Sequence, residues 1–224
     1  MATFEAQVEG LTGLNIGSSG TTPTQAELTE FLKDGVVDVI NKIIQINPSE
    51  IPKFCTTTSD DSNSGITVSG KIFSVVREHD SVEVLRPCTP ISAQDRYVTN
   101  DSTSLKYRSK FNPGYYVLDK KIFSVPPSAS GNNDLKVTQV HYDRTVTYAS
   151  DDMQHFPTEY IYLVPMYAAI KSLEAKMAEY TITEEDSELV QAISSNIVSL
   201  QNSYKQAFGA LMPPQPAGKD NNDS

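Results

Sequence analysis

The sequence predicts an α+β protein: a helical platform, made of one N-terminal helix and a C-terminal antiparallel helix hairpin, interrupted by a large β-rich insertion shaped as an open barrel or a sandwich. Three observations carry this. Apolar residues recur at helical spacing over 28–44 and again over 163–208. Between those stretches the apolar period falls to two. Runs such as "SDDSNSG", "NDSTS", "NPG" and "SASGNND" divide the alternating stretch into short strands.

Taken in order, residues 1–23 read as an arm and linker: Phe4, Ala6 and Val8 alternate weakly before the turn-rich "NIGSSGTTP". Thr24 stands three residues before Glu27. Its hydroxyl accepts a helix-start N–H while the Glu reaches back, a capping box that begins the first helix. Leu28, Phe31, Leu32, Val36, Val39, Ile40, Ile43 and Ile44 form its apolar stripe, and Asn47-Pro48 ends it. Residues 24–52 and 151–209 make the platform, because the first helix needs the C-terminal pair to cover its stripe.

Residues 53–150 form the insertion, with six to eight strands expected around Ile66/Val68, Ile72–Val75, Val82/Val84, Tyr97, Tyr115/Val117, Ile122–Val125, Leu135/Val137 and Val146/Tyr148. "KIFSV" occurs twice, from Lys71 and from Lys121. Both copies read as strands with Ile and Phe on opposite faces, each the second strand of one β-turn-β unit and the first of the next, and neither as a site. Pro87 and Pro90 around Cys88 exclude a central strand and mark a corner. In the hairpin, Leu163, Met166, Tyr167, Ile170, Leu173 and Met177 line one helix, with Pro165 kinking its first turns or delaying its start. Thr183 with Asp186, and Glu184 and Glu185, suit the start of the next helix, whose stripe is Leu189, Ile193, Ile197, Leu200, Tyr204 and Phe208. Gly209 stops it, and residues 210–224 read as a flexible tail.

The chain's 224 residues allow one or two domains. A formal charge of −10 opposes a grip on nucleic acid through phosphate neutralisation, which needs clustered Lys and Arg, and no such cluster is expected anywhere in the chain. The start lacks a basic, apolar leader and no segment reaches membrane-spanning length, so a protein soluble in the cytosol of its producer is expected. Cys55 and Cys88 lack Cys-x-x-Cys spacing, which indicates neither a zinc site nor a disulfide framework.

Catalytic patterns are missing. Asp151, Asp152 and His155 share a loop without a His-x-x-x-His partner, and His79-Asp80 reads as a hairpin tip. Gly-x-Ser-x-Gly does not occur, and "NIGSSG" has no preceding strand and no following Gly-Lys-Ser. No catalytic, metal-binding or cofactor-binding residue is assigned. Eleven tyrosines suit either an interface or a β module.

"MATFEAQVEGL" at 1–11, "PTQAELTEFL" at 23–32, Gly70-Lys71, Pro87-Cys88 and "YLVPMYAAIKSL" at 162–173 resemble a group of virion structural proteins from tailed phages, especially marine ones. A helical platform with a β element and a flexible tail is similar to head-to-tail adaptors. That resemblance implies a non-enzymatic subunit, assembled in the host cytoplasm and located in the neck or tail region of the virion. It implies a homo-oligomer, a dodecameric ring below the portal through which genomic DNA passes without specific binding. It also implies contacts with the portal and with tail, nozzle or fibre proteins, none with a membrane, and no cofactor. Leu211, Met212, Pro213 and Pro214 would begin the portal-docking tail. The insertion is larger than in the simplest helical adaptors, which keeps a trimeric tail, neck or fibre subunit open. A cell-wall hydrolase is the remote alternative.

Overall fold

The structure, a computed structural model, describes residues 2–80, 84–131, 133–183 and 187–212, with the side chains of residues 183 and 187 left aside. The predicted Val82 strand position and the helix-start residues Thr183, Glu184, Glu185 and Asp186 are thereby outside the described residues or side chains. The chain is α+β and divides into two compact units, residues 1–51 with 143–224 and residues 52–142.

The first unit is helical. Helix α2 (Gln25–Ile46) begins at the expected capping box: Thr24 Oγ1 accepts from Glu27 N, and Glu27 Oε2 accepts from Thr24 N at 2.8 Å. Its stripe is buried at Leu28, Leu32, Val36, Val39, Ile40, Ile43 and Ile44. Residues 4–12 correct the arm reading, since they form helix α1 (Phe4–Thr12) with Phe4 and Val8 fully buried. Thr3 caps it, and its first amides donate to the chain's own later segment, Phe4 N to Ser150 O at 2.8 Å and Glu5 N to Tyr148 O at 3.0 Å. Those carbonyls also explain why Val146/Tyr148 is no strand. Buried Asp143 accepts from Thr145 N and Thr145 Oγ1, forming a turn, and from Gln154 N, while Val146 packs inward.

Helix α4 (Leu163–Thr183) starts late, so Pro165 sits in the first turn, where an amide has no intrahelical acceptor to lose. It packs on α1, α2 and helix α5 (Ser187–Ala210). Leu163, Val164, Ala168, Ala169, Ile170, Ser172 and Leu173 are buried around its circumference rather than along one stripe. Ser172 Oγ is satisfied by donating to Ala168 O at 2.8 Å. Gly35 of α2 admits this central helix: a Cβ there would stand 3.2 Å from both Val164 and Tyr167. Helix α5 returns antiparallel, bringing Tyr204 to Tyr167, and buries Ile197, Leu200, Tyr204 and Phe208.

The second unit holds two four-stranded sheets. Its strands are β1 (Cys55–Asp60), β2 (Ile66–Thr67), β3 (Ile72–Glu78), β4 (Leu85–Pro87), β5 (Thr89–Pro90), β6 (Gly114–Leu118), β7 (Lys121–Val125) and β8 (Leu135–Val140), with a short helix α3 (Arg96–Asn100) between β5 and β6. The sheet orders are β1-β8-β3-β4 and β2-β7-β6-β5. Ile72, Val75, Leu135 and Val137 of the first face Ile66, Ile122 and Tyr115 of the second across one apolar core. This is a sandwich rather than a closed barrel.

Both "KIFSV" copies form strands. Phe73 and Ile72 fall on opposite faces, as do Phe123 and Ile122, with Ile122 fully buried. Their pairing departs from two equivalent β-turn-β units. β7 does close a tight hairpin with β6 over Asp119-Lys120, both at positive φ, but its other neighbour is β2. β3 pairs with β4 and β8, which lies in the other sheet from β7. Tyr97, expected in a strand, lies in α3. The predicted corner is present: Cys88 N donates to Val75 O in the first sheet, then Thr89 N to Pro113 O and Ile91 N to Tyr115 O beside the second. Burial pushes the Cys88 thiol up to about 12, against the pull of Arg77.

Candidate interaction surface

The longest departure from sheet structure in the β unit is residues 91–113, the connection from β5 to β6. It is held by its own polar groups. Ser92 Oγ accepts from Gln94 N, opening a 3-10 turn that runs into α3. Buried Thr99 donates its hydroxyl to Asp95 O at 2.9 Å, and its carbonyl accepts from Arg108 N at 2.8 Å, which pins the far arm against α3. Asp101 accepts from Thr103 N and Thr103 Oγ1, and those bonds hold its carboxyl below the usual range. Ser104 and Ser109 each accept an amide two residues on, from Lys106 and Phe111. Gly114 lets the base close, since a Cβ there would come within 3.1 Å of Ile91 and 3.3 Å of Thr89 O.

These bonds shape the connection and leave large side chains outside. Tyr97 is 72 % exposed, Phe111 64 % and Leu105 wholly exposed, with Val98 and Tyr107 also in solvent. Cations stand among them. Arg96 lies over the Tyr97 ring at 4.3 Å, and Lys110 is 5.7 Å from the centroid of Phe111 while also bonding to Asp80. Lys106 reaches Asp95 at 3.2 Å. Lys106 and Arg108 line an open cleft of about 590 Å³ with Pro90, Ile91, Ser92, Leu105 and Asn112. The earlier reading that no Lys and Arg cluster occurs is therefore corrected locally. "KYRSK" at 106–110 places three cations in five residues, and the fold adds Arg96. The signal was present but masked by the acidity of the whole chain.

The sites read from the sequence lie elsewhere. Leu211 and Met212 follow α5 in a turn, donating to Phe208 O and Gly209 O, with Leu211 half-buried and Met212 60 % exposed. Pro213 and Pro214 lie outside the described residues. His79 follows β3, where its amide donates to Val84 O and its ring packs on Phe111 at 4.7 Å; the expected tip at residues 81–83 lies outside the described residues. His155 adopts a positive φ in an exposed loop, and Met153 and Phe156 beside it are buried. Among the described residues, no group of three or more His, Cys, Asp and Glu is placed to hold a metal ion. No described helix is long and apolar enough to cross a membrane.

Two further polar centres are structural. Asp60 accepts from the amides of Gly65, Ser62 and Ser64 and from the hydroxyls of Ser62, Ser64 and Ser128. Burial alone would raise its pKa, but these donors outweigh it and hold the carboxyl at about 2. Glu78, 2 % exposed, pairs with Lys136 at 2.6 Å and accepts from Asp134 N. Burial and the Glu78 charge raise the Asp134 pKa in turn.

No protein-family model matches the chain, and no curated protein matches it either.

Proposed function

We propose that the chain is a non-enzymatic structural subunit of a tailed-phage virion, a head-to-tail connector that assembles with copies of itself below the portal. The observation that carries an assembly role is the excursion at 91–113. It exposes rings and cations in quantity. The phage setting rests on the resemblance at residues 1–11, 23–32 and 162–173. An acidic helical unit also suits a wall past which DNA moves, because it offers phosphates no purchase. In this reading Leu211 and Met212 lead into the portal-docking tail, through Pro213 and Pro214.

A trimeric fibre or tail subunit would need the α5 stripe free to meet its copies. Ile197, Leu200, Tyr204 and Phe208 are already covered inside the helical unit, which counts against that alternative. The hydrolase reading would require a loss of activity in His155→Ala or in His141→Ala, His141 being the residue just after β8 whose amide donates to Phe54 O. Mass photometry of the chain mixed with purified portal tests the connector proposal. A ring-sized complex that is lost on deleting residues 211–224 is expected. A chain that stays monomeric beside an unaltered portal would remove the connector reading.

A further inference from the structure

The two units differ sharply in charge. Residues 1–51 and 143–224 carry 19 acidic and 7 basic side chains, a formal −12, whereas residues 52–142 carry 9 acidic and 11 basic, a formal +2. The asymmetry is concentrated further within the β unit. The excursion at 91–113 holds Arg96, Lys106, Arg108 and Lys110 against Asp95 and Asp101. Three of these cations already contact groups nearby: Arg96 an adjacent carbonyl and ring, Lys106 Asp95, and Lys110 Asp80.

We infer that this excursion docks on the helical unit of a second copy of the chain, with Leu105 and Tyr97 as its apolar contacts and Lys106 and Arg108 as its charged ones. The argument is one of complementarity. A surface that exposes Leu105 completely and Tyr97 by 72 % gains from burial, at about 25 cal/mol per Å² of apolar area removed from water. The cations interleaved with those side chains select an acidic partner, and the helical unit of the same protein supplies one at equal concentration. On α2 its exposed carboxylates include Glu30 and Asp34, one turn apart. Excursion against excursion would place like charges face to face. The contact therefore joins unlike surfaces, the β unit of one copy and the helices of another, whether it is made reciprocally between two copies or passed on from copy to copy.

The inference rests on the connector reading only in taking copies of the chain as neighbours. Its test uses the chain alone, so failure to bind portal leaves it standing. In sedimentation velocity the full chain is expected to associate with rising concentration at about 50 mM salt and to weaken by on the order of tenfold at about 500 mM. K106E/R108E and, separately, Leu105→Ser are expected to be monomeric with unchanged circular dichroism. E30K/D34K is expected to be monomeric alone and to associate when mixed with K106E/R108E, because both contacts between unlike variants are then opposite in charge: native Lys106/Arg108 on native Glu30/Asp34, and the introduced glutamates on the introduced lysines. A wild-type chain that is monomeric at low salt overturns the inference. So does association that survives K106E/R108E, a charge-swapped mixture that stays monomeric, or a monomer that uses Lys106 and Arg108 to bind single-stranded DNA instead.

Discussion

The Tyr204 hydroxyl donates to Asp38 Oδ2 across 2.7 Å, and the Lys42 ammonium meets the same oxygen at 2.7 Å while standing 4.7 Å over the Tyr204 ring. The Tyr204 bond ties α5 to α2, while Lys42, one turn on from Asp38 in α2 itself, reaches α5 through the Tyr204 ring. Phe208 closes the cluster edge-on to Tyr204 at 4.9 Å. Tyr204→Phe keeps the rings in place and removes one bond to a charged acceptor, so urea unfolding should show a loss of about 1–2 kcal/mol. Tyr204→Ala also opens a cavity, and about 3–5 kcal/mol is expected.

The same residue sets an alkaline limit. Burial, reinforced by the bond to Asp38, pushes the Tyr204 phenol well above its ordinary value of 10.0. The folded state then holds a proton that the unfolded chain releases. The stability is fully present below pH 10 and is lost progressively above it. Unfolding curves from pH 8 to 11 should show the wild-type advantage over Tyr204→Phe shrinking above pH 10; a constant difference contradicts the assignment.

Asp60 sets the acid side of the β unit. Its carboxyl, held at about 2 against an ordinary 3.8, contributes stability present above pH 3.8 and lost as pH falls through 2. Asp60→Ala should be about 1–2 kcal/mol less stable near neutral pH, with solvent screening allowed for, and should lack the acid-induced decline between those values. Chemical denaturation across pH 2 to 6 reads both effects.

Gly70 should tolerate no side chain. A Cβ there would stand 2.0 Å from the Val140 carbonyl oxygen, where the backbone passes under β8 and Val140 N donates to Lys71 O. The obstacle is main chain and has no rotamer to yield. Gly70→Ala should cost about 3 kcal/mol, and hydrogen exchange should show lost protection in β8.

How much of this was legible depended on whether local signals agreed. Helix α2 was read end to end because the capping box, the apolar period and Pro48 point the same way. Helix α1 was missed because Phe4 and Val8, four apart, satisfy periods of both two and 3.6. The exposure of Ala6 decides for the helix, and that is a tertiary fact. Strand β1, "CTTTSD", carries no apolar alternation. Its place comes from backbone pairing with β8 and from the Thr57–Thr138 hydroxyl bond. Tyr97 has the preference of a strand residue, but the Ser92 turn starts a helical run that overrides it. The docking excursion needed the fold to set Arg96 and Lys106 on one connection, while its cation-rich core "KYRSK" was visible in the sequence throughout.

The corner at residues 85–91 bears on how two copies of the chain could meet at their sheet edges. Sheets of crowded molecules tend to grow into one another by lending backbone hydrogen bonds to a neighbour's unpaired edge. Here the edge strands β4 and β5 are three and two residues long, and each ends in a proline with no N–H to lend. At that margin, polymerisation by strand addition has no template, so any ordered association there is left to side chains.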